Sequence, residues 1–182
     1  MDPVLSTQDS ASITEDILAS QKGKVFIATG GSSGIGFELS KMSYAAGAKV
    51  YILSRTQSNV ESAIKQIEEA HKTTPKDRLC SLNFILLDLA DLECESRLDV
   101  LYCNARLAAV PGGRKTQKGL RLHLGVNCVA HVLLETLLFS VLTATAKTSP
   151  KDSVRVVWAA SILVELGSPI VSSSPSPIHK CV

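Results

Sequence analysis

The residues best placed to do chemistry lie in Thr29 to Gly36, TGGSSGIG, between an apolar run and an amphipathic stretch. Gly30, Gly34 and Gly36 follow GxxxGxG spacing, which removes side chains where a backbone must turn tightly. The amides of such a loop, Ser32, Ser33, Gly34 and Ile35 among them, can face a diphosphate at a helix N-terminus. By mechanism this is a dinucleotide cradle, although the same eight residues could make an ordinary strand-to-helix turn. No GxxxxGK[ST] occurs, so a phosphate-loop NTPase is excluded. Further polar residues each follow an apolar run: Ser54 with Arg55, Asp88, Asn104 and Ser161. Asn127 sits among Val126, Cys128 and Val129, in a mostly buried helix where its amide needs partners.

Positioning them requires alternating strands and helices. Lys24 to Thr29, Lys49 to Ser54, Leu82 to Leu87, Asp99 to Cys103 and Val154 to Ala159 are short β-branched or aromatic runs, as buried parallel strands are. Between them, Phe37 to Ala46 is amphipathic. Ser58 with Glu61 makes a capping-box signal for a helix whose Val60, Ala63, Ile64 and Ile67 share one face through His71. A long helix is expected from Leu120 to about Ala146, after the Pro111-Gly112-Gly113 loop. This alternation specifies an α/β, Rossmann-type doubly wound parallel sheet of about five strands, with its ligand crevice beyond the strands' carboxyl ends. The polar residues fall at that edge. Residues 23–166 form the expected dinucleotide-binding domain, preceded by a polar extension over 1–22, with a weak helical signal in Ile13 to Ser20, and followed by a Ser/Pro-rich tail over 167–182.

The 182 residues suit one domain, and 45% apolar residues with few aromatics suit a packed core. A net charge of +2, without a basic stripe, argues against nucleic acid and anionic membrane and in favour of a small-molecule ligand. Five cysteines without CxxC spacing, behind an acidic N-terminus, read as reduced thiols of a cytoplasmic chain, and no metal-ligand pattern appears. Val126 to Ala146 has membrane length, but Asn127, His131 and Glu135 interrupt it, which argues for a buried amphipathic helix.

Together these segments resemble the short-chain dehydrogenase/reductase family, nearest to fungal members similar to retinol dehydrogenases. TGGSSGIG matches the family's TGxxxGxG, LDLAD its adenine-side aspartate, LYCNA its NNAG, GVNCVAH its helix asparagine and VRVVWAAS the strand leading to its catalytic serine. The resemblance implies an oxidoreductase that interconverts a carbonyl and an alcohol in a secondary-metabolite pathway. Ser161 would polarise the carbonyl and Asn127 would hold a proton-relay water. Asp88 and Asn104 would contact adenine and its ribose. At the end of the second strand an acidic residue would bind a ribose 2′-hydroxyl. Arg55 beside Ser54 instead offers a cation and a hydroxyl to a 2′-phosphate, which favours NADP(H), unless Arg55 is simply a solvated surface arginine.

Three departures from the family pattern matter. The family's Tyr-x-x-x-Lys pair should follow the serine, yet Tyr44, Tyr51 and Tyr102 all precede Ser161, and His179 in the tail has little to fix it. Ala105-Arg106 also replaces the glycine expected after NNA, placing a cation near the nicotinamide position. Next, ten residues, Leu89 to Leu98, join the third and fourth strands. As a helix they would reach only about 17 Å, whereas the crossing needs about 22 Å, so the covering helix should be missing and an apolar patch exposed. Last, Ser168 to Val182 cannot continue the sheet, so strand five should be an exposed edge, able to pair with another chain. The pattern resembles a truncated reading frame. A catalytically inactive nucleotide-binding remnant is therefore the alternative expectation to an active enzyme.

Overall fold

The computed structural model describes residues 18–75, 78–86, 96–108 and 111–161. Residues 1–17 of the N-terminal extension and the tail over 167–182, with His179 and Lys180, lie outside them, as do Asp88 and most of the link between the third and fourth strands. Five strands, β1 (Val25–Thr29), β2 (Lys49–Ser54), β3 (Leu82–Leu86), β4 (Val100–Cys103) and β5 (Arg155–Trp158), form one parallel sheet of order β3-β2-β1-β4-β5. β1 is central and buried at every residue, pairing Phe26 with Val50 on one side and with Val100 on the other. That double burial explains its unbroken apolar run.

Helices α1 (Gly34–Ala45) and α2 (Gln57–Ala70) follow β1 and β2. Tyr44, Val60 and Ile67 from these helices join Phe26, Val50 and Ile52 in one core cluster. The capping-box expectation is corrected. Ser58 lies inside the first turn, and extended Thr56 (φ −124°, ψ 106°) is the N-cap without a side-chain cap bond. The Glu61 carboxylate instead accepts a hydrogen bond from Gln57 Nε2 at 2.8 Å.

The long helix is built in three pieces: α3 (Leu122–Leu124), a π-helical turn (Gly125–Val129) and α4 (Ala130–Thr148). Leu134, Leu138 and Leu142 pack on Val25, Ile27, Leu98 and Leu101. By length and composition the helix Leu122–Thr148 could cross a membrane, an 18-residue window within it having mean hydropathy 1.7. The expected buried amphipathic helix holds for one face only, because Val132, Leu133 and Leu137 on the other are each at least half exposed. Together with Val157 and Trp158 of β5, these residues carry much of the exposed apolar surface among the described residues. The link between β3 and β4, beside which an apolar patch was expected, lies mostly outside the described residues. Among the described residues β5 pairs only with β4, and it is the sheet's edge.

Beneath the sheet's amino-terminal edge, Asp99 is fully buried. Its carboxylate accepts from Val25 N at 2.9 Å and from Arg97 Nε and Nη2 at 2.7 Å each. Thr145 Oγ1 accepts from Leu98 N nearby, so α4, β4 and β1 are joined at that end by polar bonds rather than packing alone.

Candidate functional site

The glycine loop leaves β1 and enters α1 with Gly30 at φ +65° and Gly34 at φ +54°, backbone that glycine adopts without strain. A Cβ on Gly36 would overlap both Gly30 O and Asn104 Nδ2, so only glycine lets α1 begin this close to the strand ends. Ser33 is the extended N-cap (φ −158°), its hydroxyl makes no cap bond, and the first turn holds no acidic residue. The positive end of the helix is therefore not neutralised by the chain's own side chains. Ser33, Gly34 and Ile35 are exposed and Ser32 half-buried, so the loop presents its backbone to solvent. A cradle that excludes a Cβ and opens onto a helix N-terminus fits a diphosphate.

β2 and β4 bring the neighbouring residues to the loop. Gly30 N donates to Leu53 O at 2.9 Å, which fixes Ser54 and exposed Arg55 beside it. Asn104 Nδ2 donates to Thr29 O at 3.3 Å. Buried Thr29 Oγ1 accepts from the amides of Asn104 and Ala105, both at 2.9 Å. The ends of β1 and β4 thus form one hydrogen-bonded corner, with exposed Arg106 directly after it.

Asn127 lies in the π turn. Its Oδ1 accepts from Leu107 N at 2.8 Å and its Nδ2 donates to Leu107 O at 3.1 Å, so the amide fixes the segment leaving β4. Past β5, Ala159 N donates to Cys103 O at 3.1 Å, which carries exposed Ser161 toward the same sheet edge. The structure therefore brings the loop, Ser54-Arg55 and Asn104 to one place, with Asn127 joined through Leu107. Asp88 is outside the described residues.

The tyrosines are elsewhere. Tyr102 packs edge-on to Phe26 at 6.0 Å in the cluster under α1 and α2. Burial raises its pKa against a weaker opposing hydrogen bond from Ser43. Burial, with Glu68 and Cys80, also raises Tyr44. Phenols acting as general acid/base are helped by the opposite shift. Cys103 is buried beside this corner, and burial with the charge of Glu135 pushes its thiol up to about 12. No three His, Cys, Asp or Glu side chains group to hold a metal among the described residues.

Three participants escaped the sequence reading. Gly31 is required because a Cβ there would stand 2.7 Å from Ser40 Oγ and 3.1 Å from Ile52 Cγ2. Thr29 contributes a hydroxyl that the motif's glycine spacing does not mark. His131, 4% exposed, contacts Thr29 Oγ1 through Nε2 at 3.0 Å. Its position four residues after Asn127, one helical turn, was the available signal.

The sequence matches the family described as short chain dehydrogenase over residues 24–148. A short-chain dehydrogenase/reductase of Phomopsis amygdali is 42% identical over 162 residues, covering 83% of this chain and 47% of that protein. Short-chain dehydrogenase/reductase iacJ of Pestalotiopsis fici is 39% identical over 163 residues, covering 82% and 49%. The chain thus spans about half the length of the curated relatives it matches. Among solved structures, the Pseudomonas aeruginosa RhlG/NADP active-site complex superposes with a TM-score of 0.61 at 23% identity, covering 79% of this chain and 56% of that one. A protein from Beutenbergia cavernae, assigned as an NAD(P)-dependent gluconate 5-dehydrogenase with NADP bound at low occupancy, gives 0.61 at 27% identity, covering 82% and 58%. With the family match spanning the glycine loop, β4 and the π turn, the chain belongs to the short-chain dehydrogenase/reductase family.

Proposed function

We propose that this chain supplies the cofactor half of an NADP(H)-dependent oxidoreductase that interconverts a carbonyl and an alcohol. The observation that carries the reading is the open N-terminus of α1 above Gly30 and Gly36. Ser32 to Gly36 would hold the diphosphate, Asn104 and Asp88 the adenosine, and Ser54 with Arg55 the 2′-phosphate. The bound cofactor would supply hydride. Ser161 would polarise the carbonyl, and Asn127 would order a relay water from a helix position already fixed by Leu107. The NADP complexes among the solved relatives support the cofactor, and the fungal sources of the curated relatives support a secondary-metabolite role.

A second reading, nucleotide binding without turnover, is favoured by the tyrosines. Tyr44 and Tyr102 are raised by burial, and Tyr51 lies under Lys49 Nζ at 5.0 Å. None follows Ser161. NADPH fluorescence titration tests the cradle, and absence of saturable binding would refute both readings. Turnover of simple aldehydes or ketones by the purified chain would refute the second. Clear binding with no turnover by the purified chain would leave the cofactor half in place and refute the roles given to Ser161 and Asn127 in this chain.

A further inference from the structure

We propose that His131 is a positioning residue of the cofactor site, acting through the Thr29 hydroxyl on the corner that carries Asn104 and Ala105. The inference rests on the reading that this corner receives a nicotinamide cofactor. Thr29 Oγ1 has one hydrogen and two lone pairs. The amides of Asn104 and Ala105, each at 2.9 Å, occupy both lone pairs. Two acceptors remain for the single hydrogen, Tyr102 O at 3.2 Å and His131 Nε2 at 3.0 Å. A hydrogen on Nε2 would put a third donor on an oxygen with two lone pairs. The imidazole therefore carries its proton on Nδ1, which faces Asn127 O at 3.3 Å. In this arrangement Nδ1 donates to Asn127 O, Thr29 Oγ1 shares its hydrogen between Nε2 and Tyr102 O, and the Asn104 and Ala105 amides donate to Thr29 Oγ1.

The imidazole is held in that orientation. It is 4% exposed and its ring meets Trp158 edge-on, centroids 5.6 Å apart, so β5 covers what α4 presents. The π turn just before α4 carries Asn127, whose carbonyl faces His131 Nδ1 at 3.3 Å. One ring thus ties together β1, the end of β4, the Asn127 turn and β5. These elements carry the glycine loop, Asn104, the relay asparagine and the approach to Ser161.

Two substitutions divide the ring's two bonds. His131→Gln keeps an acceptor near the Nε2 position and loses the Nδ1 donor, whereas His131→Leu keeps volume and loses both. The proposal expects NADPH affinity within about threefold of wild type for His131→Gln and about tenfold weaker for His131→Leu, even where urea midpoints fall alike. His131→Leu with Thr29→Val should bind no more weakly than Thr29→Val alone, because the histidine acts through that hydroxyl. Affinity that follows the urea midpoint whichever nitrogen is replaced, or additive losses in the double variant, would overturn the role. Independently of any cofactor, long-range 1H–15N spectra of the wild-type chain should place the His131 proton on Nδ1, the resonance being assigned by its loss in His131→Gln. A proton on Nε2 overturns the proposal even if NADPH binds. With the Nδ1 tautomer present but no NADPH bound by wild type, the cofactor assignment falls, and the positioning role with it.

Discussion

Replacing Gly36 by alanine tests whether the closeness of α1 to the strand ends is what makes the cradle. The new Cβ would meet a backbone carbonyl, Gly30 O, and the Asn104 amide nitrogen. Asn104 could rotate away only by giving up its 3.3 Å bond to Thr29 O. Gly30 O cannot yield alone, because Gly30 N is bonded to Leu53 O at 2.9 Å. The helix start must therefore back off. Overpacking of this kind costs about 1–3 kcal/mol, and the lost hydrogen bond adds about 1 kcal/mol, so a destabilisation of about 2–4 kcal/mol is expected. A helix terminus displaced from a bound anion should also weaken NADPH at least tenfold. Two companion variants calibrate the effect. Gly34→Ala meets nothing within 4 Å but must adopt φ +54°, which costs about 1–2 kcal/mol. Gly112→Ala stands in open space outside the loop and should lie within about 0.5 kcal/mol of wild type. Urea midpoints give the stability order and NADPH fluorescence gives affinity. Wild-type NADPH affinity in a folded Gly36→Ala chain would refute the argument.

Three further outcomes follow from the same structure. Arg55→Glu should weaken NADPH by tenfold or more while leaving NADH within about threefold, since it removes a cation from an exposed position beside the loop; equal losses for both cofactors would remove the 2′-phosphate assignment. Asp99→Ala strands Val25 N and the Arg97 guanidinium, whose side chain is 39% exposed and so retains some water, giving an expected loss of about 2–4 kcal/mol; an unchanged urea midpoint would contradict it. Cys103, pushed up to about 12, stays a neutral thiol, so maleimide at pH 8 followed by peptide mass mapping should label Cys80 and Cys128 and spare Cys103. Because its folded pKa lies above the unfolded value of about 8.5, its contribution is fully present below that pH and is lost as pH rises toward about 12. Cys103→Ser should therefore flatten the alkaline fall in stability, and an unchanged slope would dissociate that fall from the thiol.

What sequence could and could not reveal follows from the range of the forces involved. The five strands were legible because each is a short apolar run bounded by polar residues; β1, buried at every residue, demands such a run, whereas β5 keeps its run although three of its four residues are exposed, against the burial expected of it. Gly30 and Gly34 were legible for a local reason, since positive φ is a property of one residue. Gly31 was not, because it is required by Ser40 on α1 and Ile52 on β2, contacts that exist only once the sheet has assembled. The capping box failed through competition within a single turn. Ser58 was the expected start, and the extended Thr56, two residues earlier and also of an N-cap type, is the observed one. α4 misled in the opposite way: nearly continuous apolar character fixed its existence but not which apolar face would be covered, and Leu134, Leu138 and Leu142 turn inward while Val132, Leu133 and Leu137 do not. The site divides along the same line. Its anion-binding half is written in backbone geometry and glycine spacing. The half that orients it is a hydrogen count on the Thr29 hydroxyl, and no spacing rule reveals that two amides have already taken its lone pairs, leaving one hydrogen for His131 and Tyr102 O to share.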